Sequence, residues 1–154
     1  MQGEIKTDDE HNQKIFLRAQ DADIPRVIED NQDAIDLKNR LSGSFGYNLK
    51  VLMDDGGFSV NQLAKSSKVD NKKISAILDG SVMPTLIDCM RFCAALELHP
   101  IVSHRLLSSG TFDLINNSNE QHQFYNFLIN YCYGEDLRSW QLKITETNHQ
   151  EWQI

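Results

Sequence analysis

The sequence predicts a mainly α-helical protein. Ser59 and Asp70, residue types that cap helices, stand directly before segments whose apolar positions lie three and four residues apart. Gly80, Pro84 and Pro100 separate these segments, as helix-ending residues do. Hydrophobic residues make up 40% of the 154 residues and charged residues 24%, so we expect a folded chain that buries a core.

Residues 1–41 are expected to form an acidic, helical N-terminal extension. A short helical piece is predicted over residues 11–20. A longer helix is predicted to follow in the segment DADIPRVIEDNQDAIDLKNRL, with Asp23 as its cap and Pro25 in its first turn. The turn-forming segment SGSFG, residues 42–46, is expected to end the extension.

Five short helices are predicted in a second domain, residues 42–108. The first covers residues 44–54. The second begins at Ser59, whose hydroxyl and the side chain of Gln62, three residues later, have the spacing of a capping box. This signal fixes the start of the second helix more closely than apolar spacing alone.

The remaining three helices of this domain are bounded by cap and breaker residues. The third begins after Asp70 and ends at Gly80, and the fourth and fifth follow Pro84 and Pro100. Their inward faces are expected to be Ile74, Ile77 and Leu78; Leu86, Cys89, Met90, Cys93 and Leu96; and Ile101, Val102, Leu106 and Leu107.

Residues 109–154 are expected to form an acidic C-terminal region. The segment SNEQHQFYNFLINYCYG predicts an aromatic-rich helix, and the alternation in SWQLKITETNHQEWQI predicts a β-hairpin. An isolated hairpin is only marginally stable, so we expect it to pack on a second subunit and to make this region the dimerisation region. The predicted homodimer interface consists of Trp140, Leu142, Ile144, Trp152 and Ile154.

Charge is distributed unevenly along the chain. The formal net charge is −7, but it divides into −4 for residues 1–41, +1 for residues 42–108 and −4 for residues 109–154. A local excess of positive charge lies around the junction of the second and third helices, where four lysines accompany one aspartate. Because interactions beyond about 10 Å are screened at physiological salt, the overall acidity does not exclude a local anion-binding surface.

The outward face of the third helix has the chemistry that double-stranded DNA requires. Its N-terminal end carries the amide of Asn71 and the ammonium groups of Lys72 and Lys73, beside short side chains. A helix N-terminus also offers free amide N–H groups to phosphate oxygens. A narrow helix with such donors at its tip can enter the major groove. The alternative interpretation of the lysines is a solvated face without a ligand.

Residues 45–107 resemble the phage-repressor-like helix-turn-helix domain, of the XRE or Cro/repressor type, over about two fifths of the chain. No single matching position is specific to this family, but the full set occurs in the same register as in the family. The matching positions are Phe45, Leu49, Leu52, Ser59, Leu63, Ala64, Val69, Ile74, Ile77, Gly80, Pro84, Leu86, Met90 and Leu96. The resemblance implies a five-helix, lambda-repressor-like fold for this domain.

The resemblance also implies a function. It implies a sequence-specific, DNA-binding transcriptional regulator of bacterial or phage origin, which acts as a homodimer and reads the major groove with helix 70–79. The base contacts carried over from the family are Asn71, Lys72, Ser75 and Ala76. The candidates for phosphate contacts are Ser59, Lys65, Lys68 and Lys73.

Several positions depart from the family pattern. Lys68 stands where the turn usually has glycine, and if its φ is positive the lysine costs about 1 kcal/mol. Val60 replaces a glutamine that grips phosphate, and Asp79 would bring an anion close to DNA. Met53 and Leu78 jointly replace an arginine–glutamate pair, a change that the fold tolerates.

The departures at Val60, Lys68 and Asp79 favour an alternative function. The chain would then be a protein-interaction module on a helix-turn-helix scaffold, of the antitoxin or anti-repressor type, with weak or no DNA binding. Its acidic flanks would hold a regulatory protein partner.

Other chemistry finds little support in the sequence. The sequence contains three cysteines, Cys89, Cys93 and Cys132, an odd number without the paired spacing of a disulfide framework. This indicates a protein of the reducing cytoplasm. Cys89 and Cys93 lie four apart on an apolar face without a second ligand pair, so we expect core packing and no metal. We expect neither a cofactor nor an enzyme. The polar N-terminus and the short apolar runs predict a cytoplasmic protein without membrane spans.

Overall fold

The computed structural model describes the backbone of residues 24–154 and the side chains of residues 30–154. Within these residues the protein is mainly helical and contains no strand, which confirms the predicted class. The predicted helix over residues 11–20 and the Asp23 cap lie outside the described residues. The elements are α1 (Ile24–Arg40), α2 (Phe45–Gly56), α3 (Val60–Ser67), α4 (Asn71–Asp79), α5 (Leu86–Ala95), α6 (Pro100–Ser109), α7 (Glu120–Tyr131), α8 (Leu137–Glu146) and a 3-10 turn (Gln150–Trp152).

Residues Leu37–Ile154 form one compact unit. This unit includes both segments that the sequence separates, 42–108 and 109–154. α5 packs on α8 and α6 packs on α7, so the C-terminal helices share a core with the preceding ones. The largest fully buried side chains of this core are Trp140, Tyr125, Phe92, Leu41, Leu49, Met53, Leu63, Ile74, Ile77, Met90, Leu106 and Leu107.

The helix boundaries follow the capping signals. The Ser59 hydroxyl accepts a hydrogen bond from the Gln62 N–H, and the Gln62 side chain accepts one from the Ser59 N–H, which confirms the capping box. The Asp70 carboxylate caps α4, and Gly80 ends it with a φ of 85°. Pro25 lies in the first turn of α1, as predicted.

A close approach of α2 and α4 fixes the position of α4. Gly46 lies on α2 directly against the carbonyl groups of Ile77 and Leu78, and a Cβ atom at this position would lie 2.8 Å from the Leu78 carbonyl oxygen. Only glycine allows this approach without a backbone shift. The buried side chains of Leu63 and Ile74 hold α3 and α4 to the same core.

The predicted C-terminal hairpin is wrong, because its residues form α8 and the 3-10 turn. Leu137, Trp140 and Ile144 lie three and four residues apart, and all three are buried on one face of α8. The Asp136 carboxylate caps this helix by accepting from the Ser139 N–H at 2.9 Å. Trp140 and Ile144, which the alternation places on one side of a strand, are instead four residues apart on one face of a helix, and Leu142 between them is exposed.

The predicted dimer interface is also wrong, because most of its residues are buried within the chain. Trp140 is 1% exposed, and its indole N–H donates to the Cys132 carbonyl oxygen at 2.9 Å. Ile144 and Ile154 are buried, and Trp152 is half-buried. Of the five predicted residues only Leu142, which is 55% exposed, and the half-buried Trp152 could touch another subunit. The apolar residues of the tail are used within the chain.

Candidate nucleic-acid interface

A short turn, residues 68–70, joins α3 to α4. Lys68 has a φ of 58°, in the left-handed region that favours glycine, and its N–H donates to the Ala64 carbonyl oxygen. Val69 is buried beneath the turn, and its N–H donates to the Ser67 hydroxyl at 3.2 Å. The turn thus ends α3 abruptly, and Asp70 starts α4 two residues later.

The four residues expected to contact bases lie on one open surface. Asn71, Lys72, Ser75 and Ala76 line a shallow depression together with Val60, Asn61 and Asp79. The Asn71 amide N–H donates to the Asn61 side-chain oxygen at 3.1 Å, which links the outward faces of α3 and α4. This surface is called the α4 face below.

A second depression borders α4 on its other side. It is lined by Ser44, Gly46, Tyr47, Lys50 and Leu78, and it shares Ser75 and Asp79 with the first. The outward side of α4 is therefore a ridge between two depressions. Asn61, Tyr47 and Lys50 were not selected from the sequence. No signal in the sequence points to them, because they lie on α2 and α3 and come next to α4 only in the folded chain.

The structure separates the four candidates for phosphate contacts into two pairs. The Ser59 hydroxyl accepts from the Gln62 N–H at 3.1 Å and keeps its own hydrogen to donate. Lys65 is exposed and lies four residues after Asn61, on the same face of α3. Neither lines the depression itself: Ser59 directly precedes Val60, and Lys65 lies one turn along α3 from Asn61.

Lys68 and Lys73 are not brought to the α4 face. Lys68 lines a different cavity, beside Asp136 and Arg138 at the start of α8. The ammonium group of Lys73 lies 2.7 Å from a carboxylate oxygen of Asp88 on α5. Its charge is therefore engaged within the chain.

Asp79 introduces a negative charge at the border of the α4 face. Its exposed carboxylate accepts a hydrogen bond from the Ser81 N–H at 2.8 Å. Hydrogen bonds from Ser81 lower the pKa of Asp79, so the carboxylate is ionised at neutral pH. Any anion that approaches the ridge meets this charge at the C-terminal end of α4, seven residues after Lys72.

The described residues offer little to other site chemistries. Cys89 and Cys93 are buried, and burial raises the pKa of Cys93 to about 12, so these thiols stay protonated at neutral pH. Among the side chains that the structure describes, those of residues 30–154, no group of three His, Cys, Asp or Glu could hold a metal ion. In the same part of the chain no helix has the length and apolar character needed to cross a membrane.

The resemblance stated above rests on residue positions alone. Comparison of the chain with family models, curated proteins and solved structures finds no significant match. A function for this chain therefore has to be inferred from the geometry and charge of the α4 face.

Proposed function

We propose that the chain is a DNA-binding transcriptional regulator that reads the major groove with α4, in the manner of a helix-turn-helix protein. The observation that carries the proposal is the shape of this region. The residues suited to base contacts lie together on an exposed ridge, with an open depression on either side. A ridge of one helix width fits a major groove that is about 12 Å wide.

The side chains on the ridge match the edges of bases. Asn71 uses one amide N–H on Asn61, which leaves its other N–H and its oxygen for the two-bonded contact that adenine accepts. Lys72 can donate to the acceptors of guanine, and the methyl group of Ala76 can contact the methyl group of thymine. Asn61 would act as a positioning residue for Asn71.

The two depressions suit the sugar–phosphate backbones that flank a major groove. Asn61 lines one of them, next to Ser59 and Lys65. Tyr47 and Lys50 line the other, where Ser44 begins α2. Hydroxyl, amide and ammonium donors therefore stand on both sides of the ridge. Such contacts fix the register of a protein on DNA without reading its sequence.

The charge of this region predicts weak binding with a strong dependence on salt. Lys65 and Lys72 take part in no ion pair among the described residues, whereas Lys50 pairs with Asp54 at 2.8 Å. Few phosphate charges can thus be neutralised, and the net charge of the chain is −7. Each lysine that contacts phosphate contributes about one unit to the slope of log K against log salt.

A second candidate function is the protein-interaction module. It is favoured by the ionised Asp79 at the border of the α4 face and by the engagement of Lys73 with Asp88, which together reduce the positive charge near DNA. A regulatory protein partner would then bind where DNA does in the first proposal.

A titration of labelled duplex fragments at two salt concentrations, followed by selection of the preferred site, tests the DNA proposal. Lys72→Ala should weaken binding to the selected site by about 1–3 kcal/mol more than it weakens binding to random DNA. Lys65→Ala should weaken both DNAs alike and reduce the salt slope by about one unit. Lys143→Ala is the matched control and should change neither, since Lys143 pairs with Glu135 at 2.9 Å in the C-terminal region. Absence of binding by the wild-type protein at low salt would leave the interaction module.

A further inference from the structure

We infer that α7 carries the surface through which two copies of this chain associate. The surface is a row of four aromatic side chains, Trp152, Phe124, Phe127 and Tyr131, called the aromatic stripe below. It replaces the interface predicted from the sequence, whose residues are largely buried. The inference does not depend on whether α4 reads DNA.

The aromatic stripe is continuous. The ring centroids of Trp152 and Phe124 lie 5.9 Å apart, those of Phe124 and Phe127 5.7 Å, and those of Phe127 and Tyr131 5.6 Å. The three α7 residues are three and four positions apart and share one face of the helix. The adjoining face of α7 is buried in the core through Tyr125, Leu128 and Ile129.

Much of the stripe is open to solvent. Phe127 is 43% exposed and Tyr131 is 77% exposed, while Phe124 and Trp152 are half-buried. At roughly 200 Å² per aromatic side chain, the first two alone expose on the order of 200 Å². The half-buried Phe124 and Trp152 add to this area, and the largest apolar patch on a monomeric protein, about 300–600 Å², is often functional.

The absence of charged residues along α7 after Glu120 indicates a second copy of the chain as the partner, although Glu151 stands next to Trp152 at the other end of the stripe. Residues 121–134 contain no Asp, Glu, Lys or Arg, although charged residues make up 24% of the chain. A basic partner would gain more from the acidic parts of the surface. Two copies that each carry a charge of −7 repel one another and can meet best on an uncharged face.

The composition of the α7 face also suits an interface. The amides of Gln123 and Asn126 lie on α7 beside the aromatic residues, and the Gln123 oxygen and the Asn126 N–H groups can hydrogen-bond across a polar rim, whereas the Asn130 amide is engaged with Asn126 and His104. In a two-fold dimer the same patch lies on both subunits. An antiparallel pair of α7 helices would set the Tyr131 end of one stripe against the Trp152 end of the other.

Sedimentation velocity of the full chain over a concentration series, without DNA, tests this inference. Tyr131→Glu places two carboxylates in the interface and should weaken association by roughly ten-fold or more, with an unchanged thermal melt because Tyr131 is exposed. Leu142→Glu is the matched control. Leu142 is an exposed apolar residue on the face of α8 opposite Leu137, Trp140 and Ile144, so this variant should associate as the wild type does.

Two results would overturn the inference. One is a wild-type protein that stays monomeric at every concentration reached. The other is association that survives Tyr131→Glu, or that is lost in Leu142→Glu and not in Tyr131→Glu. Because DNA is absent from the measurement, failure of the DNA proposal leaves the outcome unaffected.

Discussion

The ammonium group of Lys73 on α4 lies 2.7 Å from a carboxylate oxygen of Asp88 on α5. The Asp88 side chain is 7% exposed and that of Lys73 38%. The same carboxylate oxygen accepts from the Thr85 N–H at 2.9 Å, as part of the capping box that begins α5. The ion pair therefore links the helix proposed to read DNA to the next helix of the core.

Lys73→Met should destabilise the fold by about 1–2 kcal/mol. The change leaves a buried carboxylate without its cation, although the Thr85 N–H still solvates it. Urea unfolding measures the loss. Lys72→Met, at an exposed neighbour, should stay within about 0.5 kcal/mol of the wild type. Equal stability of the two variants would show that the Lys73–Asp88 pair is not formed.

Lys68→Gly should stabilise the fold by up to about 1 kcal/mol, because Lys68 has a φ of 58° and glycine adopts this conformation without steric cost. Thermal melts compare it with Lys68→Ala, which removes the same charge and keeps the strain. The alanine variant should gain nothing. If both variants melt alike, the left-handed conformation at residue 68 carries no cost.

Asn61→Ala should relax base preference where Asn71 reads DNA, because it removes the oxygen that orients the Asn71 amide at 3.1 Å. A selection experiment on a randomised site reads this out. Gln62→Ala, which breaks only the capping box of α3, is the control and should lower stability by about 1 kcal/mol or less while preserving base preference. Unchanged preference in Asn61→Ala would remove Asn61 as a positioning residue.

Acid should destabilise the protein in part through Asp136. Hydrogen bonds from Ser139 lower the pKa of this carboxyl group from its ordinary value of 3.8. The ionised carboxylate therefore stabilises the fold fully at pH values above 3.8, and this stabilisation is lost as the pH falls through the lower pKa of the folded state. The variant Asp136→Asn keeps a side-chain oxygen that can cap the helix and does not titrate. Between neutral pH and a pH below 3.8, its free energy of unfolding should therefore fall less than that of the wild type. Urea unfolding at the two pH values tests this, with Glu146→Gln as a control that should follow the wild type.

Trp140→Ala should cost about 3–5 kcal/mol, as expected for a large aromatic side chain in a core. The side chain is 1% exposed, and its N–H bond to Cys132 would be lost as well. Equilibrium unfolding should show the full loss at every protein concentration, since the contacts lie within one chain. A loss that disappears on dilution would restore the subunit-interface interpretation of Trp140.

The α4 face was only partly predictable. Asn71, Lys72, Ser75 and Ala76 could be assigned to one surface because their spacing puts them on one side of a single helix. The contribution of Asn61 and Tyr47 could not be predicted, since they lie on α3 and α2 and meet α4 only through tertiary packing. The ion pair between Lys73 and Asp88 could not be predicted from the four lysines of residues 65–73 either, because Asp88 lies fifteen residues further along the chain.

The sequence by itself determined the helices of residues 45–109 and most of their ends. Capping residues such as Ser59 and Asp70, and the glycine at position 80, act on backbone groups within four residues, so their effect is readable from neighbouring letters. Only the tertiary structure decided that residues 137–146 form a helix and that Trp140 and Ile144 face inward. Short apolar segments fit a strand or a helix almost equally well, and burial against α5 selects the helix here.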